Sequence, residues 1–283
     1  MLVSASVPIP VSVTAIVSTY NAERWLRGCL ENLLAQTIAD QLEIIVVDSA
    51  SPQNERAVVE EFQPRHPRLV YLRTPRRETL YAAWNRAVGL AQGRYLTNAN
   101  TDDRHAHEAL ATLARALDRH PQAGVAYAST ATTTTPYGRF GETTVTGQFK
   151  ARRFDRRRLF WDCLPGPQPM WRRELHGRFG LFDESLASAG DYEFWLRISG
   201  EVSFLHVQQV LGLVYQSPET LSAKDCELSR REAELARDRH WPKAWGPRPA
   251  DTKPLLRRLS RGSTYRGWAR ALREKLRLGK SSS

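Results

Sequence analysis

Apolar positions in the first 130 residues switch repeatedly between two periods. Val11–Ser18 is a β-branched run that ends in a polar loop, which predicts a strand. Ala22–Gln36 repeats apolar residues at helical spacing through Trp25, Leu26, Cys29, Leu30, Leu33 and Leu34. Glu43–Asp48 is apolar without alternation, as a strand buried on both faces requires. Ser51–Phe62 predicts a helix, with Ser51 as its cap and Pro52 in its first turn. The pattern continues as a strand over Leu69–Arg73 and a helix over Thr79–Ala91 stopped by Gly93. A strand over Arg94–Asn98, a helix over Ala106–His120 and a strand over Gly124–Ser129 complete it.

Strands separated by helices of this length predict βαβ units and a parallel sheet. Ligands of such sheets sit beyond the carboxyl ends of the strands. That points to three loops: Thr19-Tyr20-Asn21, Asp48-Ser49-Ala50-Ser51 and Asn98–Asp103. The alternation breaks after Ser129. Thr130–Lys150 reads as an irregular or hairpin region, Asp191–Ser199 as a helix, and Val202–Val207 and Val210–Tyr215 as late strands. Lys224–His240 is a charged helix, Trp241–Pro254 a proline-rich linker, and Pro254–Leu278 a basic amphipathic helix. The expected layout is a domain over 1–222, with halves at about 11–129 and 130–222, followed by a helical, basic extension over 223–283.

Composition narrows the function. A chain of 283 residues with 41% hydrophobic and 25% charged residues is long enough to bury a core without covalent staples. Its three cysteines, Cys29, Cys163 and Cys226, form no CxxC pair, which argues against a disulfide framework or structural zinc and for a reducing, cytoplasmic setting. The N-terminus shows no basic, apolar leader, and no run approaches the ~18 apolar residues of a membrane span. The net charge is +11, yet the segment from residue 250 onward holds ten Lys/Arg against two acids, so +8 lies there and only +3 before it. A nucleic-acid partner is therefore not implied by the body of the chain. There is no GxGxxG after the first strand, no GxxxxGK[ST] and no GxSxG, which removes dinucleotide, P-loop and nucleophile-elbow chemistry.

The candidate chemistry is carboxylate chemistry. Asp102 and Asp103 follow a predicted strand; adjacent carboxylates there either hold a hard divalent cation, with Asn100 as a neutral oxygen, or decorate a helix start. Asp48 closes the second strand, as an acceptor for a base imide or ribose hydroxyl, or as a turn residue. Tyr20 offers a face for a base, or for packing. Asp191 opens a helix backed by Phe194, Trp195 and Ile198, as a general base or an N-cap. His105 and His107 share a face for metal only if their segment is extended. Arg152, Arg153, Arg156, Arg157 and Arg158 suit a pyrophosphate or a solvated face. Trp161 and Trp171 suit sugar rings, with core packing for at least one.

Taken in order, VSTYN (17–21), VVDSAS (46–51), YAAWNRAVGLAQGRYLTNANTDD (81–103) and AGDYEFWLR (189–197) resemble the family 2 glycosyltransferases of the GT-A fold over residues 11–222. The resemblance implies a Rossmann-like α/β domain with a mostly parallel sheet flanked by helices and a nucleotide-diphospho-sugar donor, UDP- or dTDP-linked, in polysaccharide building. Ser18 and Tyr20 match nucleoside-contacting positions and Asp48 the base-reading acid. Asn100, Asp102 and Asp103 match the stretch that holds ribose and a Mn²⁺ or Mg²⁺ ion on the diphosphate, and Asp191 matches the general base of an inverting transfer. Two positions depart from the family pattern. Asn100 stands where an acid is usual, and Pro218 stands where a late segment usually carries His, so phosphate binding would lean on Arg76, Arg77 or the 152–158 cluster. The same residues also allow a catalytically inactive nucleotide-sugar-binding protein, and the basic tail allows an adaptor for nucleic acid or membrane. Leu255, Leu256, Leu259, Tyr265, Trp268, Leu272 and Leu276, interleaved with arginines, suit contact with the inner membrane face and a glycan or lipid-linked acceptor, or packing on the body or a second subunit.

Overall fold

The computed structural model describes residues 10–217 and 226–248. Among these residues a nine-stranded mixed sheet runs in the order β3-β2-β1-β4-β8-β6-β9-β5, with β7 beside β6. The strands β1 (Val13–Thr19), β2 (Leu42–Asp48), β3 (Leu69–Arg73) and β4 (Tyr95–Asn98) are mutually parallel. The helices α1 (Glu23–Leu34), α2 (Glu55–Phe62) and α3 (Leu80–Leu90) connect them. Every residue of β2 is buried, as its unbroken apolar run requires. One face of α1 buries Trp25, Leu26, Cys29, Leu30 and Leu33. Each fully buried leucine there contributes about 1.5–3 kcal/mol of transfer free energy.

Register decides where the loops emerge. Thr19 pairs with Asp48, so β1 and β2 end level and their loops lie side by side. On the other flank Ile16 pairs with Asn98, so β4 stops three residues short of the end of β1. The segment after Asn98 therefore begins beside the last residues of β1, with the Ala99 amide donating to the Ile16 carbonyl at 2.8 Å. β5 (Arg104–His105) and α4 (Ala109–Arg119) follow.

Beyond α4 the sheet turns mixed. β6 (Ala123–Thr133) and β7 (Gly147–Phe149) form a hairpin across the Thr- and Gly-rich stretch. α5 (Arg156–Leu159), β8 (Met170–Arg172), α6 (Glu174–Phe179) and α7 (Gly190–Ile198) follow. β8 inserts antiparallel between β4 and β6. β9 (Ser203–Tyr215) is one strand parallel to β6, and α8 (Cys226–His240) closes the compact unit.

Several expectations are corrected. The two late strands are one, because register shifts opposite Ala128–Thr130 absorb extra residues as bulges without breaking pairing. α2 starts at Glu55 rather than Ser51, capped by Asn54. α3 ends at Leu90, and Gly93 serves close packing instead: a Cβ there would lie 2.5 Å from the Thr14 nitrogen. β8 and α6 were not anticipated; neither is long enough to show a period. α8 packs on α7, and the first compact unit runs to His240. The second unit, Trp241–Ser283, is described only to residue 248 and contains a short 3-10 turn over Lys243–Trp245. The tail helix expected over 254–278 and Pro218 lie outside the described residues. Among the described residues, no helix is long and apolar enough to cross a membrane.

Candidate active site

The ends of β1 and β2 are tied by one carboxylate. Oε1 of Glu55 accepts hydrogen bonds from the Ser51 hydroxyl (2.7 Å), the Ala22 amide (3.1 Å) and the Thr19 hydroxyl (3.4 Å). The Asn21 amide donates to the Ser51 hydroxyl at 3.0 Å. Asn21 and Ala50 both take left-handed backbone conformations (φ +53° and +51°), a cost that this network offsets. Glu55 is fully buried, and among the described residues its Oε2 has no hydrogen-bond partner.

Asp48 is also fully buried. Its Oδ1 accepts from the Ser51 amide at 2.7 Å, and its Oδ2 accepts from the Tyr71 hydroxyl and the Arg73 guanidinium. Burial, then the bond to Asp48, pushes the Tyr71 phenol up to about 12. Asp48 does not line the cleft described next; it fixes the β2 loop from beneath.

An open cleft of about 950 Å³ lies over the carboxyl ends of β1 and β2. Ser18, Tyr20, Arg77 and Asp102 line it, together with Trp25, Leu80, Ala83, Ala187 and Tyr215. The Arg77 guanidinium sits 4.1 Å over the Tyr20 ring, a cation–π stack on the cleft wall. The Trp84 indole N–H donates to the Ser18 hydroxyl at 3.3 Å, which joins α3 to the end of β1.

The aspartates after β4 divide their tasks. Asp103 is buried, with Oδ2 accepting from the Asn100 amide at 2.9 Å and Oδ1 from the Tyr215 backbone N–H at 3.2 Å. Asp102 is half-buried and faces the cleft. Burial raises both carboxyls above the ordinary range, and for Asp103 the charge of Asp102 adds to it. Arg104 is the local counter-charge; its Nη1 donates to the carbonyls of Thr101 (2.9 Å) and Asp103 (2.6 Å). Gly28 leaves room for its guanidinium: a Cβ there would stand 2.4 Å from Arg104 Nη2. Among the described residues no third His, Cys, Asp or Glu joins the pair. Two carboxylates destabilised by burial fit Mg²⁺ or Mn²⁺, ions that complete their shells with water and substrate phosphate.

Asp191 lies in the first turn of α7. Its Oδ1 accepts from the Tyr81 hydroxyl at 2.9 Å and the Tyr192 amide at 2.8 Å, and burial raises its carboxyl above the ordinary range. Gly190 permits this, since a Cβ there would lie 2.6 Å from the Tyr81 ring. Tyr81 belongs to α3, whose Leu80 and Ala83 line the cleft, and Ala187 lines it just before α7. Asp191 does not itself line the cleft; it is held by α3, which forms part of the cleft wall.

Other candidates fall elsewhere. Trp171 is fully buried in β8, its indole N–H donating to His176, and is not open to a sugar. His105 is buried and driven down to about 4 by burial, while His107 is exposed; the strand ends between them, so they share no face. The arginines of 152–158 do not line the cleft, and Arg156 packs against Gly200.

The sequence model of glycosyl transferase family 2 matches residues 14–177, more than half of the chain. The chain belongs to that family. It is 24% identical over 225 residues to an uncharacterized glycosyltransferase, MJ1057, of Methanocaldococcus jannaschii, covering 77% of this chain and 73% of that one. It is 25% identical over 218 residues to a chondroitin synthase of Escherichia coli, covering 77% of this chain but 31% of the relative. Among solved structures, S. aureus TarS 1-349 in complex with UDP matches with a TM-score of 0.62 at 20% identity, covering 80% of this chain and 65% of that one. The mannosyltransferase PcManGT of Pyrobaculum calidifontis, in complex with GDP-Man and Mn²⁺, matches with a TM-score of 0.60 at 21% identity, covering 88% and 69%. The fold is GT-A, a mostly parallel sheet flanked by helices, and the chain is a family 2 glycosyltransferase.

Within that family frame, sequence reasoning missed Glu55, Tyr81, Trp84 and Arg104. Glu55 carried a faint signal, an acid four residues after Ser51 at a helix start. Nothing in the spacing announced the other three, whose partners are reached only through the fold.

Proposed function

We propose that this glycosyltransferase moves a sugar from a nucleotide-diphospho-sugar to an acceptor hydroxyl with inversion, and that Asp191 is its general base. The observation that carries the reading is the cleft itself. Ser18, Tyr20, Arg77 and Asp102 share its wall, and Asp191 is bonded to the helix that supplies Leu80 and Ala83 to the same wall. The nucleoside lies against Ser18 and Tyr20. Asp48 presents the β2 loop to the base, with Tyr71 and Arg73 fixing its carboxylate. Asn100 orients Asp103, and Arg77 meets the diphosphate.

Asp102, backed by Asp103, would hold a Mn²⁺ or Mg²⁺ ion; when bound, the ion supplies positive charge opposite the departing diphosphate. Asp191 accepts the proton of the acceptor hydroxyl. That oxygen bonds to the anomeric carbon, the bond from that carbon to the diphosphate breaks on the opposite face, and the nucleoside diphosphate leaves with the electron pair. Burial raises Asp191's basicity above that of an ordinary carboxylate, while the hydrogen bonds from Tyr81 and the Tyr192 amide favour its ionised form.

The UDP complex of TarS supports a uridine-linked donor and the GDP-Man complex of PcManGT a guanosine-linked one, so both are tested. The chondroitin synthase relative supports a glycan acceptor. Turnover of UDP-, dTDP- and GDP-linked sugars with and without Mn²⁺, read by nucleoside diphosphate release, tests the reaction; NMR of the product tests its anomeric configuration. Metal-dependent release with inverted configuration is expected. Nucleotide binding without release from any donor would leave a binding protein, and retained configuration would remove the single-displacement route.

A further inference from the structure

The backbone that leads into α7 is held from both sides. On one side Asn85 of α3 bonds to the carbonyl and amide of Phe182 and to the Glu184 carboxylate. On the other, a single carboxylate of α8 takes three consecutive backbone donors. Glu232 Oε1 accepts from the Ala187 amide at 2.8 Å, and Oε2 accepts from the amides of Ser188 (2.8 Å) and Ala189 (2.9 Å). Glu232 is buried. Three further contacts fix α8 on this region: Ser229 with Ser188 (2.6 Å), Arg237 with the Tyr192 hydroxyl (3.3 Å) and His240 with Glu193 (2.6 Å).

The position of this carboxylate matters more than its number of bonds. Ala187 lines the cleft, and the next residues after Ala189 are Gly190 and Asp191. Backbone amides that lead into a helix have no ladder or intrahelical partner and need an acceptor from elsewhere. Only a carboxylate supplies acceptor oxygens to three adjacent N–H groups at once. A glutamine of the same shape replaces one oxygen with a donor, which faces N–H groups and leaves at least one unpaired.

We propose that Glu232 is a positioning residue for Asp191, so that helix α8, beyond the segment that carries the family motifs, completes the active site. The proposal rests on the assignment of Asp191 as general base. It predicts a loss of chemistry without a loss of donor binding, because the contacts of Glu232 lie on the Asp191 side of the cleft.

The test compares the full-length chain with Glu232→Gln and Glu232→Ala. The readouts are nucleoside diphosphate release from the best wild-type donor of a UDP-, dTDP- and GDP-sugar set, UDP affinity by calorimetry, and amide hydrogen exchange. In both variants kcat falls at least tenfold while UDP affinity and donor KM stay within twofold. Amides 187–191 exchange at least tenfold faster, and those of β1 and β2 are unchanged. A kcat within twofold of wild type, unchanged exchange at 187–191, or UDP affinity that falls in step with kcat would each overturn the proposal. Asp191→Asn, measured alongside, separates the two claims. Full turnover in that variant removes the base assignment; an inert Asp191→Asn with fully active Glu232 variants removes only the role of Glu232.

Discussion

The two halves of the sheet hold their functional residues in different ways. On the side of β1 to β4, each candidate sits within a few residues of a strand end, and buried carboxylates lock the loops from below. Glu55 joins the loops after β1 and β2, Asp48 anchors Tyr71 and Arg73, and Asp103 anchors Asn100 and Tyr215. On the side that follows β6, the one candidate acid, Asp191, is positioned by Tyr81, 110 residues earlier, and its approach segment by Glu232, more than 40 residues later. Between them the β6–β7 hairpin exposes Tyr137, Val145 and Phe149. On the proposed nucleotide side the anchors span neighbouring strand-end loops, with the Tyr215 amide as a distant partner; on the proposed acceptor side Asp191 and its approach segment depend on the distant Tyr81 and Glu232.

This contrast breaks most sharply at Asp191. Asp191→Asn is expected to lower turnover by about 10²–10⁴-fold, the range of general-base catalysis, with UDP affinity unchanged by calorimetry. Weakened UDP binding in that variant would merge the two halves into one. Next in size, Asp102→Asn is expected to weaken UDP affinity in Mn²⁺ by roughly 10–100-fold, the worth of one or two lost contacts to charge, and to leave the metal-free affinity nearly unaltered.

Tyr81→Phe keeps the ring and removes only the hydroxyl that bonds Asp191. Without that donor the ionised form of Asp191 is less favoured, so its pKa rises further. The acid limb of the kcat profile is expected to move to higher pH, with kcat at neutral pH down by about tenfold. The groups around Asp191 that bear on this limb are Tyr81 from α3 and the Tyr192 amide on its own helix. An unmoved limb would mean that Tyr81 is packing alone.

Glu55→Ala removes the acceptor shared by Ser51, Ala22 and Thr19. A stability loss of about 1–3 kcal/mol in urea unfolding, with weaker UDP binding, is the expected outcome. Phe149→Ala on the exposed hairpin is expected to change stability by less than about 0.5 kcal/mol.

The same contrast explains what was legible in the sequence. The β1–β4 frame was readable because its strands carry unbroken apolar runs and its helices a clear period, so even Tyr20 and Asp102 could be placed at strand ends. Asp191 was readable as an acid before an aromatic, helical segment. Tyr81 and Trp84 were not, because their apolar spacing on α3 is that of any buried helix face, and only the docking of α7 gives the Tyr81 hydroxyl its partner. α8 was read as a separate charged extension since its buried face is small; Glu232, Ala236 and Arg237 are its buried residues, and two of the three are charged. The single β9 was read as two strands because the exposed Gln208 and Gln209 interrupt its apolar pattern at a bulge.

The most direct measurement is a crystal structure of the full chain with UDP-GlcNAc and Mn²⁺. The diphosphate is expected beside Asp102 and the anomeric carbon within about 6 Å of the Asp191 carboxylate, room for one intervening hydroxyl at hydrogen-bond distance. A donor bound with its anomeric carbon facing away from Asp191, or a diphosphate seated elsewhere than beside Asp102, would contradict that expectation.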